Sequence, residues 1–406
     1  MYPTISHLIY DLFGIQIPLP IQTFGFWVAV SFIVSALIIS KELKRKEVEG
    51  KIKSIKIKLT IGKELSNLEI FSGLLFGFLI GFKGFEALGH YSELVANPQE
   101  FILSSRGSLL GGIFFSLLSL YLRWNENKKQ RLENPKEEEK IVHPYQLTGN
   151  MILIAAISGI LGAKIFHNLK NIDDFLADPI GQLFAFSGLT FYGGLISGAI
   201  AVIVYARKHK IEIKHLIDSF SPALILAYGI GRIGCHMSGD GDWGIENLKS
   251  KPEWLSIFPD WIWSYNYPNN VLTYNKYQES VLNGKMTEIS DCAGTFFDPY
   301  CYQLTNPVFP TPIYEFIMSL LIFAFLWKIR KKIDIPGCLF FIYLIFNGLE
   351  RFFIEKIRVN NEYSFLGGVT QAEIISVILI TLGIAGIFFV YFNNKSKNIN
   401  ENSKYE

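Results

Sequence analysis

Half of the 406 residues are hydrophobic, 15% are aromatic and only 18% are charged, with a net charge of +2 at pH 7. Because the apolar residues are gathered into long runs, this composition excludes a large soluble enzyme and is typical of an integral membrane protein. Four cysteines are too few for a disulfide scaffold. Cys292 and Cys301 lie in one polar loop, however, and can pair if that loop is in an oxidising compartment.

Hydropathy predicts about nine membrane-spanning helices, each close to the ~20 residues that a bilayer requires. They cover approximately 22–40, 70–89, 107–124, 147–167, 189–206, 216–236, 312–328, 335–354 and 370–392. The linkers are alternately rich and poor in Lys and Arg, which predicts an N-terminus outside and a C-terminus in the cytoplasm. The chain is therefore expected to be an all-α polytopic bundle, with 1–392 as a single transmembrane domain and 393–406 as a disordered cytoplasmic tail.

The segment 237–311 is long and rich in Trp, Tyr, Asn and Pro, and we expect it to form a small extracytoplasmic head. Most of its aromatic residues are interpreted as an interfacial belt, because Trp and Tyr favour the membrane–water boundary. The aromatic residues of this segment include Trp254, Trp261, Trp263, Tyr265 and Tyr267.

Two predicted helical hairpins, 70–124 and 147–206, resemble each other. The matches are GFKGFEAL (81–88) with GAKIFHNL (162–169), Asn97-Pro98 with Asp178-Pro179, and LLGG (109–112) with FYGG (191–194). This similarity predicts that the first hairpin is an extra copy of the second. Chance similarity between glycine-rich spans is the alternative.

Two arginines lie at the outer ends of predicted spans. Arg232 belongs to the glycine-rich stretch 227–244, and Arg351 ends the eighth span. An arginine at mid-bilayer depth costs about 2.5–3.5 kcal/mol on insertion scales, so each needs a partner. Two guanidinium groups at one depth suit a phosphate, which at that depth would belong to a phospholipid. Snorkelling to the interface is the alternative for Arg232, and a helical ion pair with Glu355 is the alternative for Arg351.

Other polar residues near these spans also have two interpretations. Asp218 is expected to be an acid at the start of its own span. Glu315 either meets the dipole of the helix that it begins or pairs with an arginine. Because an ordinary histidine titrates near neutrality, His236 is a possible base, although a lone histidine is more often passive. Tyr192 is as well suited to packing as to chemistry.

These stretches resemble the prolipoprotein diacylglyceryl transferase family, membrane enzymes that lipidate bacterial lipoproteins. The similar stretches, in the family's order, are LTFYGGLISG, DSFSPALILAYGIGRIG with the following CHMSGDGDWG, PTPIYE and RFFIEKIR. The resemblance covers roughly 147–392. The hairpin at 70–124 and the enlarged loop at 245–310 have no counterpart in the usual seven-span form.

The resemblance implies a reaction in which phosphatidylglycerol gives its diacylglyceryl group to the lipobox cysteine of a prolipoprotein signal peptide and glycerol phosphate is released. Arg232 and Arg351 would then hold the lipid phosphate, and Asp240 and Glu355 match the family's acids. The glycines implied in lipid binding are Gly193, Gly194, Gly239 and Gly244. No metal, other cofactor or nucleic acid is implied. The expected location is the bacterial cytoplasmic (inner) membrane, as a multi-pass protein.

The sequence also departs from the family's pattern. Tyr192 stands where the family has histidine, so the general base is Tyr192 itself, His236, Asp240 or Glu355. The departure leaves a non-catalytic phospholipid-binding paralogue as an alternative. A small-solute transporter is a further alternative, because glycine-broken helices with intramembrane charge also occur in transporters.

Overall fold

The computed structural model describes residues 1–185, 190–272, 284–359, 362–363 and 368–402. The chain divides into two compact units. The first unit comprises Met1–Ile17, Ile21–Ile52 and Ile211–Glu406, and the second comprises Pro18–Pro20 and Lys53–Lys210.

The described residues are mainly α-helical. The helices are α1 (Ile5–Phe13), α2 (Thr23–Val48), α3 (Asn67–Gly89), α4 (Tyr91–Ala96), α5 (Pro98–Leu103), α6 (Leu109–Gln130), α7 (Thr148–Lys170), α8 (Ile172–Ala177), α9 (Pro179–Phe184), α10 (Phe191–Lys208), α11 (Ile213–Ser238), α12 (Thr311–Ile329), α13 (Cys338–Glu355) and α14 (Gln371–Asn402). The strands are β1 (Ile55–Ile61), β2 (Lys136–Val142), β3 (Met286–Glu288), β4 (Tyr302–Leu304), β5 (Glu362–Tyr363) and β6 (Val369–Thr370). They pair antiparallel as β1–β2, β3–β4 and β5–β6.

Six of the described helical segments are long and apolar enough to cross a membrane. They are Thr23–Val48, Asn67–Gly89, Pro144–Lys170, Ile213–Ser238, Thr311–Ile329 and Gln371–Lys395. The other three expected spans also form helices, α6, α10 and α13, but these are not among the six. Helix α13 is too charged to be one of the six, because Glu350, Arg351 and Glu355 all lie in its last turns. An all-α membrane protein is therefore supported, whereas nine spans and their orientation stay predictions.

Helix α11 is the centre of the first unit and packs against α2, α12 and α13. Glycines allow these close approaches, as is usual between membrane helices. A Cβ atom added at Gly229 would lie 2.8 Å from Cβ of Ser319 on α12. One added at Gly234 would lie 2.9 Å from Cβ of Trp27 on α2. The small residues of α11 thus bring the other helices close to Arg232 in its last turns.

The buried Asp218 links α11 to α13. Its carboxylate accepts hydrogen bonds from the backbone N–H groups of Gly337 (2.8 Å) and Phe340 (3.0 Å). These donors lie at the start of α13, where backbone N–H groups lack partners within the helix. The expectation that Asp218 begins its own helix is wrong, because α11 begins earlier, at Ile213. The residue caps a different helix.

In the second unit, α3 packs against α6 and α7 packs against α10. In each hairpin, a lysine of the first helix donates a hydrogen bond to the segment that connects the two helices. The ammonium group of Lys83 donates to the carbonyl oxygen of Ser104 (2.5 Å), and that of Lys164 donates to the carbonyl oxygen of Ala185 (2.7 Å). A buried ammonium group is stabilised when backbone carbonyls accept its hydrogen bonds.

Glycines make equivalent helix contacts in the two hairpins. A Cβ atom at Gly81 would overlap the carbonyl oxygen of Gly111, and one at Gly162 would lie 2.7 Å from that of Gly193. These contacts are made by residues that align in the sequence: Gly81 with Gly162, and Gly111 with Gly193. A duplicated hairpin predicts this pattern.

The head has a small core of its own between α11 and α12. It is formed by Tyr267, Met286, Leu304 and Val308, and a disulfide joins Cys292 to Cys301. Tyr267 is only 1% exposed, so it is one of the head aromatics that do not belong to an interfacial belt. Its ring packs against other aromatic residues of the head instead of facing lipid.

Helix α14 continues to Asn402. It therefore includes much of the segment 393–406 for which the sequence predicts a disordered tail. Residues 403–406 lie outside the described part of the chain, and the disorder stays a prediction.

Candidate functional site

The site is centred on Glu315, in the first turns of α12, whose side chain is fully buried. It accepts hydrogen bonds from Tyr228 Oη (2.9 Å), Arg351 Nη1 (3.2 Å) and Arg358 Nη1 (3.1 Å), and it forms an ion pair with Arg232 Nε (3.0 Å). The ends of α11 and α13 and the first turns of α12 therefore meet at one carboxylate. A single buried acid cannot neutralise three guanidinium groups.

Two further acids complete the cluster. Asp242 bridges Arg232 and Arg358, and its Oδ1 lies 2.8 Å from Nη2 of Arg358. Glu355 pairs with Arg351 at 3.3 Å, one turn along α13. The three arginines and the acids Glu315, Asp242 and Glu355 thus form a continuous ionic network, which we call the arginine cluster. Of its acids, Asp242 is the accessible one, because its side chain is 38% exposed whereas those of Glu315 and Glu355 are at 0%.

Glycines bring Asp242 to the arginines. Helix α11 ends at Ser238. The next residue, Gly239, has a left-handed backbone (φ 66°), and Gly241 has φ 100°. The chain then pairs with the end of α13 through an antiparallel bridge between Gly244 and Arg358. A Cβ atom at Gly244 would lie 2.8 Å from Cγ2 of Thr311 and would overlap the backbone beside Arg358. Gly239 and Gly244 were predicted to bind lipid, but the backbone geometry alone explains why both are glycine.

The two aspartates of the glycine-rich loop have opposite electrostatic surroundings. Burial opposes the ionisation of Asp242, but the guanidinium groups of Arg232 and Arg358 hold its pKa below the usual value. Burial raises the pKa of Asp240, and the nearby charge of Asp242 raises it further. Burial lowers the pKa of Arg358, but Glu315 and Asp242 outweigh it and raise that pKa overall. Asp242 is therefore the anionic partner in this loop.

The structure brings together three of the predicted residues: Arg232, Arg351 and Glu355. The acid of the glycine-rich loop that pairs with Arg232 is Asp242, whereas the family resemblance implies Asp240 as the acid of this motif. The stretch GDGDWG contains two aspartates, and motif position alone does not distinguish them.

Arg358 of the cluster and Tyr228 beside it had no predicted role. Arg358 follows Arg351 by about two helical turns, and in a continuous helix this spacing places both arginines on the same side. Tyr228 lies one turn before Arg232 on α11, and its hydroxyl reaches both Glu315 and Glu350, at 2.9 and 3.5 Å. Nothing in the sequence around Tyr228 separates it from an ordinary buried tyrosine.

His236 lies one turn beyond Arg232 and is buried among aromatic residues. Its Nδ1 is 3.1 Å from the hydroxyl of Tyr267, and its ring contacts those of Trp261 and Tyr265. These contacts hold the ring in the head core. They are the surroundings of a packed histidine, and its role as a base stays a prediction.

Tyr192, Gly193 and Gly194 belong to the second unit, at the start of α10. A Cβ atom at Gly193 would lie 2.5 Å from Cβ of Phe166, and one at Gly194 would lie 3.1 Å from the carbonyl oxygen of Gly159. Both glycines therefore let α10 approach α7. The side chain of Tyr192 is 38% exposed.

Cys235, Asp240 and Asp242 lie close enough to be considered as metal ligands, with their ligand atoms within 4.8 Å of one another. Both carboxylate oxygens of Asp242, however, already contact guanidinium groups. A cation would compete with two arginines for this acid. The charges therefore favour an anion here, bound in place of Asp242.

Comparison with known proteins gives a consistent result. A family model described as prolipoprotein diacylglyceryl transferase matches residues 109–389. This match begins before the predicted 147–392 and includes α6. A protein of Clostridium novyi (strain NT) named phosphatidylglycerol–prolipoprotein diacylglyceryl transferase is 29% identical over 248 residues, 61% of this chain and 80% of that protein. Proteins of the same name from Dehalococcoides mccartyi and Clostridium botulinum (strain Langeland) are 28% and 30% identical, over 62% and 60% of this chain and 79% and 78% of their own lengths.

Proposed function

The chain belongs to the prolipoprotein diacylglyceryl transferase family, and we propose that it transfers the diacylglyceryl group of phosphatidylglycerol to the lipobox cysteine of a prolipoprotein signal peptide. A bond forms between the cysteine sulfur and the glycerol carbon that carries the phosphate. The bond from that carbon to the phosphate oxygen breaks, and glycerol phosphate leaves with the electron pair. The observation that carries the proposal is the meeting of three guanidinium groups at Glu315.

The arginines stabilise the leaving group. A phosphodiester carries one negative charge, and the released phosphate monoester approaches two, so positive charge held at the phosphate favours the transition state over the bound lipid. Guanidinium groups suit this task because they bind phosphate oxygens through paired N–H donors. Buried Glu315 keeps the guanidinium groups in place before the lipid enters.

Asp242 marks where the phosphate binds. Its two carboxylate oxygens each contact a different arginine, as two oxygens of a phosphate would. Because this is the exposed acid of the cluster, an entering phosphate displaces Asp242 more readily than Glu315. The released carboxylate loses the arginine contacts that lower its pKa, so it becomes a better proton acceptor. Asp242 therefore joins Tyr192, His236, Asp240 and Glu355 as a candidate to take the thiol proton.

The proposed topology has about nine spans in residues 1–392, a head at 237–311 outside the bacterial inner membrane, and a cytoplasmic tail at 393–406. The lysine-rich and arginine-rich linkers support this orientation. The disulfide between Cys292 and Cys301 supports it independently, because disulfides persist in oxidising compartments. The arginine cluster then lies at the outer ends of its helices, where both the phospholipid headgroup and an exported lipobox cysteine are present.

The test is transfer of labelled diacylglycerol from phosphatidylglycerol to a lipobox peptide by purified protein. Arg232→Ala and Arg351→Ala are expected to abolish the thioether product. Arg207→Ala is the matched control, because Arg207 is an exposed arginine in the last turn of α10. Full turnover by both cluster variants would contradict the proposal.

Tyr192 favours a second candidate, a phospholipid-binding paralogue without transferase activity, because it replaces the histidine of the family motif. That protein would bind phosphatidylglycerol through the same arginines but form no thioether. The transfer assay above, run with the unaltered chain, distinguishes the transferase from the paralogue. Binding without product, for every lipobox peptide tried, would select the paralogue.

A further inference from the structure

In the described part of the head, the exposed large hydrophobic residues are confined to one segment. In the described head residues, 239–272 and 284–310, they all fall between Ile245 and Trp261. The most exposed are Ile257 (90%), Trp254 (74%) and Leu248 (72%). Single apolar residues are common on protein surfaces, but a group of large ones in one segment indicates an interaction site. We call residues 247–264 the anchor loop, and Leu248, Trp254, Ile257 and Phe258 its apolar tip.

The anchor loop is held in one shape by polar contacts. The ammonium group of Lys251 donates to the carbonyl oxygen of Phe258 (2.7 Å) and pairs with Asp260 (2.6 Å). At the base, Nε1 of Trp263 donates to the carbonyl oxygen of Lys249 (2.9 Å), and Nδ2 of Asn247 donates to that of Trp263 (2.7 Å). The apolar tip is therefore presented outward by a closed loop.

The base of the loop is bonded to the ends of two helices. The hydroxyl of Tyr314, in the first turn of α12, donates to the carbonyl oxygen of Ile262 (2.6 Å). The entering strand pairs with the residues that follow α13, since the N–H of Ile245 donates to the carbonyl oxygen of Ile357 (2.9 Å). Both ends of the loop are thus fixed beside the start of α12 and the end of α13, next to the arginine cluster.

From this placement we infer that the apolar tip inserts into the boundary region of the lipid bilayer beside the arginine cluster. The lipid surface is the partner because the base of the loop is hydrogen-bonded to the first turn of α12, a helix long and apolar enough to cross a membrane. Its composition also fits, since Trp and Phe favour that boundary and Lys251 keeps its charge near the headgroups. The inference requires that α12 crosses a membrane and does not depend on the transferase reaction.

Insertion would hold this side of the head on the membrane. The loop leaves the cluster directly after Gly244 and returns beside Tyr314, the neighbour of Glu315. The anchor loop would therefore fix the height of the cluster relative to the phosphates of the outer leaflet.

The test measures the depth of single residues in vesicles of phosphatidylcholine and phosphatidylglycerol containing the full chain. An environment-sensitive fluorophore is attached to Ile257→Cys, to Leu248→Cys and, as a control at an exposed position of β3, to Glu288→Cys. All three positions are exposed, so labelling leaves the fold intact. The parent protein, treated in the same way without reductant, gives the contribution of Cys235 and Cys338.

The inference predicts that iodide in the water quenches the labels at Ile257 and Leu248 several-fold less than the label at Glu288. Nitroxide groups on the lipid chains should quench the first two labels and leave the third unchanged. Equal quenching of all three labels by iodide would overturn the inference. Protection that appears only after a lipobox peptide is added would also overturn it, because the occupant would then be the acceptor protein. Neither result would alter the transfer assay described above.

Discussion

Replacing Glu315 by Gln tests whether the buried carboxylate holds the arginine cluster together. The change keeps the size of the side chain but removes the charge that three guanidinium groups share. Breaking a buried ion pair from one side costs about 3–5 kcal/mol, because the remaining charge is left without compensation. Asp242 and Glu355 still neutralise part of the arginine charge, so we expect about 3 kcal/mol, the lower end of this range.

The measurement is the free energy of unfolding in mixed micelles, followed by circular dichroism during titration with a denaturing detergent. Glu137→Gln provides the matched control, because Glu137 pairs with Lys58 at 3.5 Å but its side chain is 67% exposed. Exposed ion pairs contribute little, so this variant should unfold almost like the parent protein. A loss below about 1 kcal/mol for Glu315→Gln would refute the reasoning, since a buried partner of three cations would then be dispensable.

Three further predictions follow from the glycine-rich loop. Asp242→Asn removes the carboxylate that competes with phosphate, so the KM for phosphatidylglycerol should fall; a higher KM in steady-state assays would contradict this. The pKa of Asp242 is lowered in the folded protein, so its stabilising contribution is present above the ordinary carboxyl pKa and is lost as the pH falls through the folded pKa. Unfolding titrations from pH 7 to pH 3 should therefore show a smaller loss of stability for Asp242→Asn than for the parent, and equal losses would count against the pairing. Gly244→Ala should cost about 1–3 kcal/mol of stability through overlap with neighbouring backbone. Gly231→Ala is its control, because a Cβ atom there meets nothing within 4 Å, and equal stability of the two variants would show that Gly244 is not closely packed.

Part of the arginine cluster could be predicted because depth in the membrane is visible in sequence. Arg232 and Arg351 end different predicted spans on the same side, and the structure brings both to Glu315. Glu355 lies one turn from Arg351, so its pairing follows from helical spacing. The binding of phosphate by these residues stays a prediction.

The rest of the cluster depends on tertiary packing that the sequence does not encode locally. Tyr228 reaches Glu315 only because α11 packs closely on α12. Asp242, rather than Asp240, pairs with Arg232 because the loop turns at two glycines and then bridges to Arg358. The role of Asp218 was also not predictable from its local sequence, because it caps a helix that lies far from it along the chain.

Helices were easier to predict than their ends and partners. Long apolar runs specify helices because a membrane leaves few other ways to satisfy the backbone. The similar hairpins could be found because glycines and lysines recur at matching positions, and these residues make the equivalent contacts. The burial of Tyr267 could not be found, because an aromatic residue of a head core and one at the membrane boundary look the same in sequence.

The most direct test of the central claim is a structure of the full chain in a phosphatidylglycerol nanodisc, with the lipid phosphorus located in the density. The account predicts phosphate oxygens within hydrogen-bonding distance of Arg232 and Arg358, with the carboxylate of Asp242 moved away from both. A phosphate bound elsewhere, with Asp242 still bridging the two arginines, would contradict it.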